Sequence, residues 1–407
     1  PSLAVAQLKD RLGELARRFY GRAEARLTLA GVTGTNGKST VAYLIAQAQT
    51  LRGCPCGYIG TLGCGIPPSL SPQPLTTPDC LSLHRILGRL DAGHAALEVS
   101  SHALAQGRVA GLTFDTAVFT NLSRDHLDYH GDMRAYEAAK ARLFQLDGLR
   151  HAVVFLDDPF GPVLARGLAA SVEQIGVSLR SEAYLHGRVV ASSLTGITVR
   201  VASPAGEAMI DSPLVGDFNA ENLLLALGAL IAWDVPFAGA CTALGRCAGL
   251  PGRMEVLGGG PPAPWVVVDY AHTPAALERV LRDLRGLSDG ELWCVFGCGG
   301  DRDAGKRAPM GAAAARLADH VVLTDDNPRG EDPGAIVADI RIGLSGHPDV
   351  RLEHERGKAI SDAVARAGAG DVVLVAGKGH ESWQWVGTER RACSDRAAVQ
   401  AALEARA

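Results

Sequence analysis

Residues Gly31–Thr40 read GVTGTNGKST, and no other stretch restricts the possible folds as much. Before it, Leu27–Ala30 is a short apolar run with a β-branched residue, which suits a buried strand. After it, Val41–Ala48 is apolar enough for a helix packed on a sheet. A strand, a Gly-rich turn and a helix opening at Gly37-Lys38-Ser39 make a phosphate cradle. Backbone N–H groups of the turn and the helix N-terminus converge on the anion, and Lys38 adds a full positive charge. Gly34, Thr35, Asn36, Gly37, Lys38, Ser39 and Thr40 are therefore candidate nucleotide-binding residues, with the Ser39 hydroxyl available to the Mg²⁺ that accompanies ATP or GTP. The strict pattern asks for a glycine five residues before Gly37, where Val32 stands. A strand–turn–helix link that uses its glycines only for tightness is the plainer alternative; the flanking strand and helix favour phosphate.

With 407 residues the chain has room for two or three domains. A hydrophobic fraction of 47% with 21% charged residues is ordinary for a globular protein. The formal charge of −4 gives no general electrostatic reason to bind nucleic acid or an anionic membrane, so any anion must be held by local groups. No apolar run reaches the roughly eighteen residues that a membrane span needs. The N-terminal 25 residues or so suggest a charged amphipathic helix and linker without the apolar core of a signal peptide. Nine scattered cysteines with no Cys-x-x-Cys pair indicate neither a zinc ribbon nor a disulfide framework, and reduced thiols in a cytoplasmic protein are expected.

From Leu27 to about Leu250, strands and helices alternate. Ala95–Val99 ends in Ser100-Ser101-His102, Phe114–Thr120 in Asn121–His126, and His151–Leu156 in Asp157-Asp158. In an open parallel sheet ligands bind beyond the carboxyl ends of the strands, so these polar ends are candidates for one site. Between about 185 and 215 an alternating pattern broken at Ser203–Gly206 predicts an antiparallel hairpin at the sheet edge. After Gly249–Gly252 a second α/β pattern follows, with strands at Trp265–Asp269, Leu292–Phe296, His320–Thr324 and Asp371–Ala376, each ending in a polar or Gly-rich turn. The expected class is α/β: a P-loop domain over 26–250 with a mostly parallel sheet and an edge hairpin, then a Rossmann-like domain over 251–407. A ligand cleft between the two is the natural expectation.

Several side chains carry two readings. Glu98, at a buried strand end, is costly to bury without a cation, and Mg²⁺ held with Ser39 would supply one; a strand end facing solvent is the alternative. His126 and His130 stand four apart and on a helix would share a face, but Leu127 occupies the place of the general-base Glu of a zinc protease. Lys140, within Tyr136–Phe144, reads by itself as a solvated helix lysine. Arg253 is either a turn salt bridge or a phosphate clamp, and Asp269 and His272 suit ribose or phosphate. Asp326 and Arg329 either pair with each other or present a carboxylate and a fork-shaped cation to a zwitterionic amino acid.

The motifs GTNGKST, Thr76-Thr77-Pro78-Asp79, Glu98–His102, Asn121–Asp128, Tyr136–Lys140, Gly216–Asn222, Gly252–Glu255, Asp269–Pro274, Gly299–Asp303, Asp326–Arg329 and Gly377–Glu381 occur in the order seen in Mur ligases. From about residue 8 onward the chain resembles that family, and within it most resembles the members that add the third residue of the peptidoglycan stem peptide. The resemblance implies ATP-dependent amide synthesis. The D-Glu γ-carboxylate of UDP-N-acetylmuramoyl-L-alanyl-D-glutamate (UDP-MurNAc-L-Ala-D-Glu) is phosphorylated, and an amine displaces phosphate. By the same resemblance Thr76, Thr77, Ser100, Gln106 and Arg108 hold the muramyl dipeptide. The resemblance further implies that Lys140 is carboxylated by CO₂ and, with Ser39, Glu98 and His126, binds Mg²⁺. Asn219, Arg253, Asp269 and His272 contact ATP. Arg302, Asp326, Asn327, Pro328, Arg329, Gly377 and Glu381 form the amino-acid pocket, and the Asp-Asn-Pro-Arg turn resembles that of enzymes using meso-diaminopimelate, whose distal zwitterion Arg329 and Glu381 would read.

Ser39-Thr40 replaces the family's commoner Thr-Thr and keeps the hydroxyl. The family's N-terminal UDP-gripping domain has only a helix of about 25 residues in its place here, which predicts weakened binding of the UDP substrate. A monomer is expected. The rival readings are a folylpolyglutamate synthetase-like ligase, a nucleotide-binding protein without ligase activity and, more remotely, a zinc hydrolase.

Overall fold

The computed structural model describes residues 8–22, 25–260 and 262–406. The predicted N-terminal helix is present as Leu8–Tyr20, and residues 1–7 lie outside the described part. The chain divides into two compact units. One runs to Val190 and takes in Thr198–Ser212 and Phe218–Cys247. The other takes in Ala191–Ile197, Pro213–Asp217 and the chain from Ala248 onward.

The first unit is built on a sheet that has eleven strands among the described residues. In chain order they are β1 (Thr28–Thr33), β2 (Cys56–Gly60), β3 (Gly63–Ile66), β4 (Ser69–Ser71), β5 (His94–Glu98), β6 (Thr116–Phe119), β7 (His151–Phe155), β8 (Glu173–Ser178), β9 (Leu185–Ser193), β10 (Gly196–Ser203) and β11 (Gly206–Ser212). Across the sheet the order is β11-β10-β9-β8-β7-β6-β1-β5-β2-β3-β4. The run from β9 to β2 is parallel, and β3 and β4 close one edge antiparallel. Central strands are buried along nearly their whole length because helices cover both faces, and this explains their unbroken apolar sequences. The helix Phe218–Ala232 is apolar around its whole circumference and is almost entirely buried against the sheet and the helix Lys38–Leu51. On the opposite face Leu29, Leu97, Phe114, Phe119 and Leu143 form a continuous core.

The edge differs from expectation. The predicted hairpin is the outer part of a three-strand meander, because β9 joins it to the parallel strands. Its exposed alternate residues (Arg188, Val190) hid β9 from a search for buried runs.

The second unit holds a sheet of β12 (Glu255–Gly258), β13 (Trp265–Asp269), β14 (Leu292–Phe296), β15 (His320–Leu323), β16 (Val350–Leu352) and β17 (Val372–Ala376), ordered β12-β13-β17-β14-β15-β16. All neighbours are parallel except β12, which runs against β13. A separate hairpin, β18 (Trp383–Val386) with β19 (Glu389–Ala392), has no place in the predicted pattern. Each predicted strand of this unit is found, and its polar end sits at the carboxyl edge.

Candidate active site

In the first unit, β1 runs through Val32 to Thr33, with Val32 paired to Glu98 of β5 and its carbonyl accepting the Val99 N–H at 2.8 Å. The position where the strict motif has glycine is thus still strand, and a β-branched residue belongs there. The turn proper is Gly34–Gly37, and the helix Lys38–Leu51 starts on Gly37, which has no side chain to cap it. One expectation needs correcting. The Thr35 and Asn36 amides do not point at a ligand; they donate to the Asn121 carbonyl (2.8 Å) and its Oδ1 (2.9 Å). Asn121 therefore fixes the turn.

Gly34 (φ 148°) and Gly37 (φ 84°) need the freedom only glycine has. A Cβ on Gly34 would stand 1.9 Å from Thr120 Oγ1, and one on Gly37 2.6 Å from Asn222 Oδ1. Asn222 donates in turn to Asn219 Oδ1 at 2.8 Å, which brings Asn219 to the back of the turn. Gly34→Ala is expected to cost about 3 kcal/mol or more, because a clash adds to the backbone strain. Gly206→Ala, at φ 117° with open space around the new Cβ, should cost only about 1–2 kcal/mol. Urea denaturation of the two variants checks this.

Lys140 lies against the same turn. Its side chain is 1% exposed, its Nζ donates to the Gly34 carbonyl at 2.6 Å, and it sits 4.2 Å from the Tyr136 ring centroid. The solvated-lysine reading is overturned. Lys38 Nζ donates to the same Gly34 carbonyl (2.9 Å) and to that of Thr35 (2.7 Å), so two amines converge on one oxygen. Burial, and then the Lys38 charge, hold the Lys140 amine well below its usual pKa, with Asp125 opposing.

Glu98 is 1% exposed, which removes the solvent-facing alternative. Its carboxylate accepts from Ser39 Oγ (2.9 Å), Tyr58 OH (2.5 Å), Thr61 N (2.8 Å) and Thr61 Oγ1 (3.1 Å). Thr61 Oγ1 also accepts from the Thr76 hydroxyl (3.1 Å), and Thr77 Oγ1 donates to the Glu98 carbonyl (2.8 Å) and accepts from the Ser100 N–H (3.1 Å). Arg108 bonds the Thr77 carbonyl at 2.9 Å and Gln106 Oε1 at 2.7 and 2.9 Å. Ser39 thus links the phosphate turn, through Glu98, to every residue assigned to the muramyl dipeptide. Sequence reasoning missed Tyr58 and Thr61, since nothing in Cys56–Thr61 marks a polar anchor.

His126 is not on a helix with His130. It stands in the left-handed region (φ 53°) just before the short helix Leu127–His130, so the shared-face argument fails. Its ring lies 4.8 Å from that of His102, and His130 reaches Ser101 Oγ at 3.0 Å. Loss of solvent, with the Lys38 charge, lowers the His126 pKa to about 4 against the pull of Asp125, leaving a neutral imidazole although the side chain is 44% exposed. Among the described residues no group of three or more His, Cys, Asp or Glu side chains is placed to hold a metal ion, so a zinc cage is not formed. Magnesium asks for less: one or two carboxylates, with phosphate oxygens and water completing its shell. The Ser39 hydroxyl and the buried Glu98 carboxylate offer the oxygen donors that this hard cation takes, whereas a neutral imidazole at His126 is a softer donor. Asp157 and Asp158 serve the fold, accepting from Ser178 and from the Leu122 and Phe160 amides.

In the second unit Asp269 accepts the Met254 and Ala271 amides at 2.8 and 2.7 Å and so shapes the turn that carries Arg253, whose guanidinium stacks 4.3 Å over the Tyr270 ring. His272 Nδ1 bonds the Tyr270 carbonyl at 2.9 Å. At the other strand ends, Asn327 Nδ2 meets Glu381 (3.1 Å), and Arg329 Nη1 reaches the Gly300 carbonyl (2.8 Å) rather than Asp326. A Cβ on Gly377 would lie 2.7 Å from Asp326 Oδ2, and one on Gly299 2.8 Å from Arg329 Nη1 and 3.8 Å from Arg302. All seven residues assigned to the amino-acid pocket, with Pro328 between Asn327 and Arg329, therefore share one edge. Lys378, fully buried among them, was not predicted.

Residues 32–230 match the Mur ligase middle domain and residues 252–379 the Mur ligase glutamate ligase domain. The chain belongs to the Mur ligase family. A UDP-N-acetylmuramoyl-L-alanyl-D-glutamate–2,6-diaminopimelate ligase of Pseudomonas aeruginosa is 51% identical across 100% of this chain and 84% of that one. One so named from Xanthomonas campestris is 50% identical across 99% and 82%. A solved structure of a ligase with that name is 40% identical, with TM-score 0.70, over 100% of this chain and 86% of the other. A folylpolyglutamate synthase of Mycobacterium tuberculosis complexed with ADP has TM-score 0.70 at 20% identity, over 90% of this chain and 91% of the other, and so shares the fold alone. Mur ligases in general depend on ATP and require Mg²⁺.

Proposed function

We propose that this Mur ligase joins meso-diaminopimelate to UDP-MurNAc-L-Ala-D-Glu, acting as a monomer in the cytoplasm. Half-identity along the whole chain to a ligase named for those two substrates carries the reading. In this reading residues 26–250 bind ATP and the muramyl dipeptide, and 251–407 bind the amino acid.

The D-Glu γ-carboxylate attacks the γ-phosphorus of ATP and ADP leaves. The amine of diaminopimelate then attacks the acyl carbon, inorganic phosphate departs and the amine loses a proton. The difficulty in the first step is to bring an anionic phosphoryl group onto a carboxylate. Lys38 and the helix N-terminus screen that repulsion, and the residues from Thr76 to Arg108 orient the carboxylate. Ser39, Glu98, His126 and a carboxylated Lys140 would hold Mg²⁺, which supplies further charge neutralisation when bound. Asn219, Arg253, Asp269 and His272 contribute to ATP binding. Arg329 takes the distal carboxylate of diaminopimelate and Glu381 its ammonium.

The test is phosphate release by the purified chain. It is expected only when ATP, Mg²⁺, the UDP-dipeptide and meso-diaminopimelate are all present, with lysine a poor substitute. Release that instead requires a folate and glutamate would replace this reading, and nucleotide binding without dependent turnover would remove it.

A further inference from the structure

Lys378 sits between two glycines at the end of β17, with its side chain 0% exposed. A lysine ammonium has three protons to donate and no acceptor capacity. Here each proton has one partner: the Trp383 carbonyl (2.6 Å), Glu381 Oε2 (3.0 Å) and Asn327 Oδ1 (3.3 Å). No donor remains for a substrate, so Lys378 does not itself touch the amino acid. It acts on Glu381. Oε2 of that carboxylate accepts from both Lys378 and Asn327 Nδ2 (3.1 Å), while no protein donor among the described residues reaches Oε1. The side chain of Glu381 is 34% exposed, so the oxygen left over is the one open to a ligand.

We propose that Lys378 is a positioning residue for the acceptor: it locks Glu381 by one oxygen and aims the other at the ammonium of the incoming amino acid. This rests on the functional reading above. Lys378 also fastens the two motifs that carry the pocket. Asn327, bonded by Lys378, accepts the Trp385 amide at 2.9 Å, and Arg329 N bonds the Trp385 carbonyl at 3.0 Å, so the hairpin β18–β19 and the Asp-Asn-Pro-Arg turn form one unit around the ammonium. Without the lysine, Glu381 would regain its rotamer freedom, and an acceptor would have to order it on binding.

Steady-state kinetics with each substrate varied in turn test this on the full chain. Lys378→Met is expected to raise the KM for diaminopimelate about tenfold or more, leave the KM values for ATP and UDP-dipeptide within about twofold, and change kcat by less than about threefold. Lys378→Arg, which keeps the charge but widens the donor fork, should show the same selective rise to a smaller degree. A purely structural lysine would instead lower the melting temperature and the active fraction without singling out one KM. An unchanged acceptor KM in Lys378→Met overturns the proposal. Should that variant fail to fold, Lys378→Arg decides by the same criterion. If the unaltered chain turns over with diaminopimelate and the variant keeps its KM, only the role of Lys378 falls. If the unaltered chain has no such turnover, the functional reading falls first.

Discussion

Lys38→Ala should lower phosphate release coupled to both substrates by about a thousandfold while leaving the fold in place. Lys38 is half-buried at the first turn of its helix, and its Nζ donates to the Gly34 and Thr35 carbonyls. Those carbonyls keep other support: Lys140 also bonds Gly34, and Thr35 is held through its amide by Asn121 and through its hydroxyl near Tyr136 at 3.2 Å. The loss should therefore fall on the reaction, where a positive charge is needed as negative charge from ATP and a carboxylate converges. Lys38→Arg should recover little, since a planar guanidinium does not replace a compact ammonium within so short a turn. A melting temperature within a few degrees of the unaltered chain is the control. Undiminished coupled turnover in Lys38→Ala would mean that the turn is not a phosphate site.

The parts of the site that are local in sequence were legible there. Strand, glycine turn and helix follow one another within Thr28–Leu51, and Gly34 and Gly37 occur where the backbone takes positive φ. Glu98 could be picked out because an acidic residue ending a buried strand conflicts with its neighbours. What stayed hidden depends on distant contacts. Lys140 meets a carbonyl 106 residues away in sequence, and its helix, read by itself, gives no hint of that. Only resemblance to the family singled it out. Tyr58 and Thr61 are 40 and 37 residues from the carboxylate they hold, and their segment looks like any buried strand and turn. His126 misled for the opposite reason: spacing of four implies a shared helix face only if both residues are helical, and φ 53° at His126 breaks that condition.

Replacing Lys140 should abolish coupled turnover as completely as replacing Lys38, and its chemistry can be followed without the reaction. Carboxylation needs the neutral amine: the nitrogen lone pair attacks the carbon of CO₂, a proton is lost and a carbamate anion results. Burial, reinforced by the Lys38 charge, holds the amine's pKa well below that of an exposed lysine and so raises the share of the neutral form that CO₂ needs. A carbamate there would set a negative charge beside the Lys38 ammonium at the Gly34 carbonyl. ¹³C-bicarbonate should therefore give a carbamate resonance in the unaltered chain that is missing from Lys140→Met and Lys140→Arg. The same depressed pKa makes a stability prediction in CO₂-free buffer. With a folded pKa below the unfolded one, the unfolded chain binds the extra proton, so the native state is penalised below the folded pKa and the penalty fades as pH rises to about 10.4. Lys140→Met should accordingly be more stable than the unaltered chain at neutral pH, by a margin that shrinks toward pH 10. A margin that stays constant with pH would show that the amine is charged in the folded protein. It would then be no nucleophile for CO₂, and the anionic role assigned to Lys140 would fall.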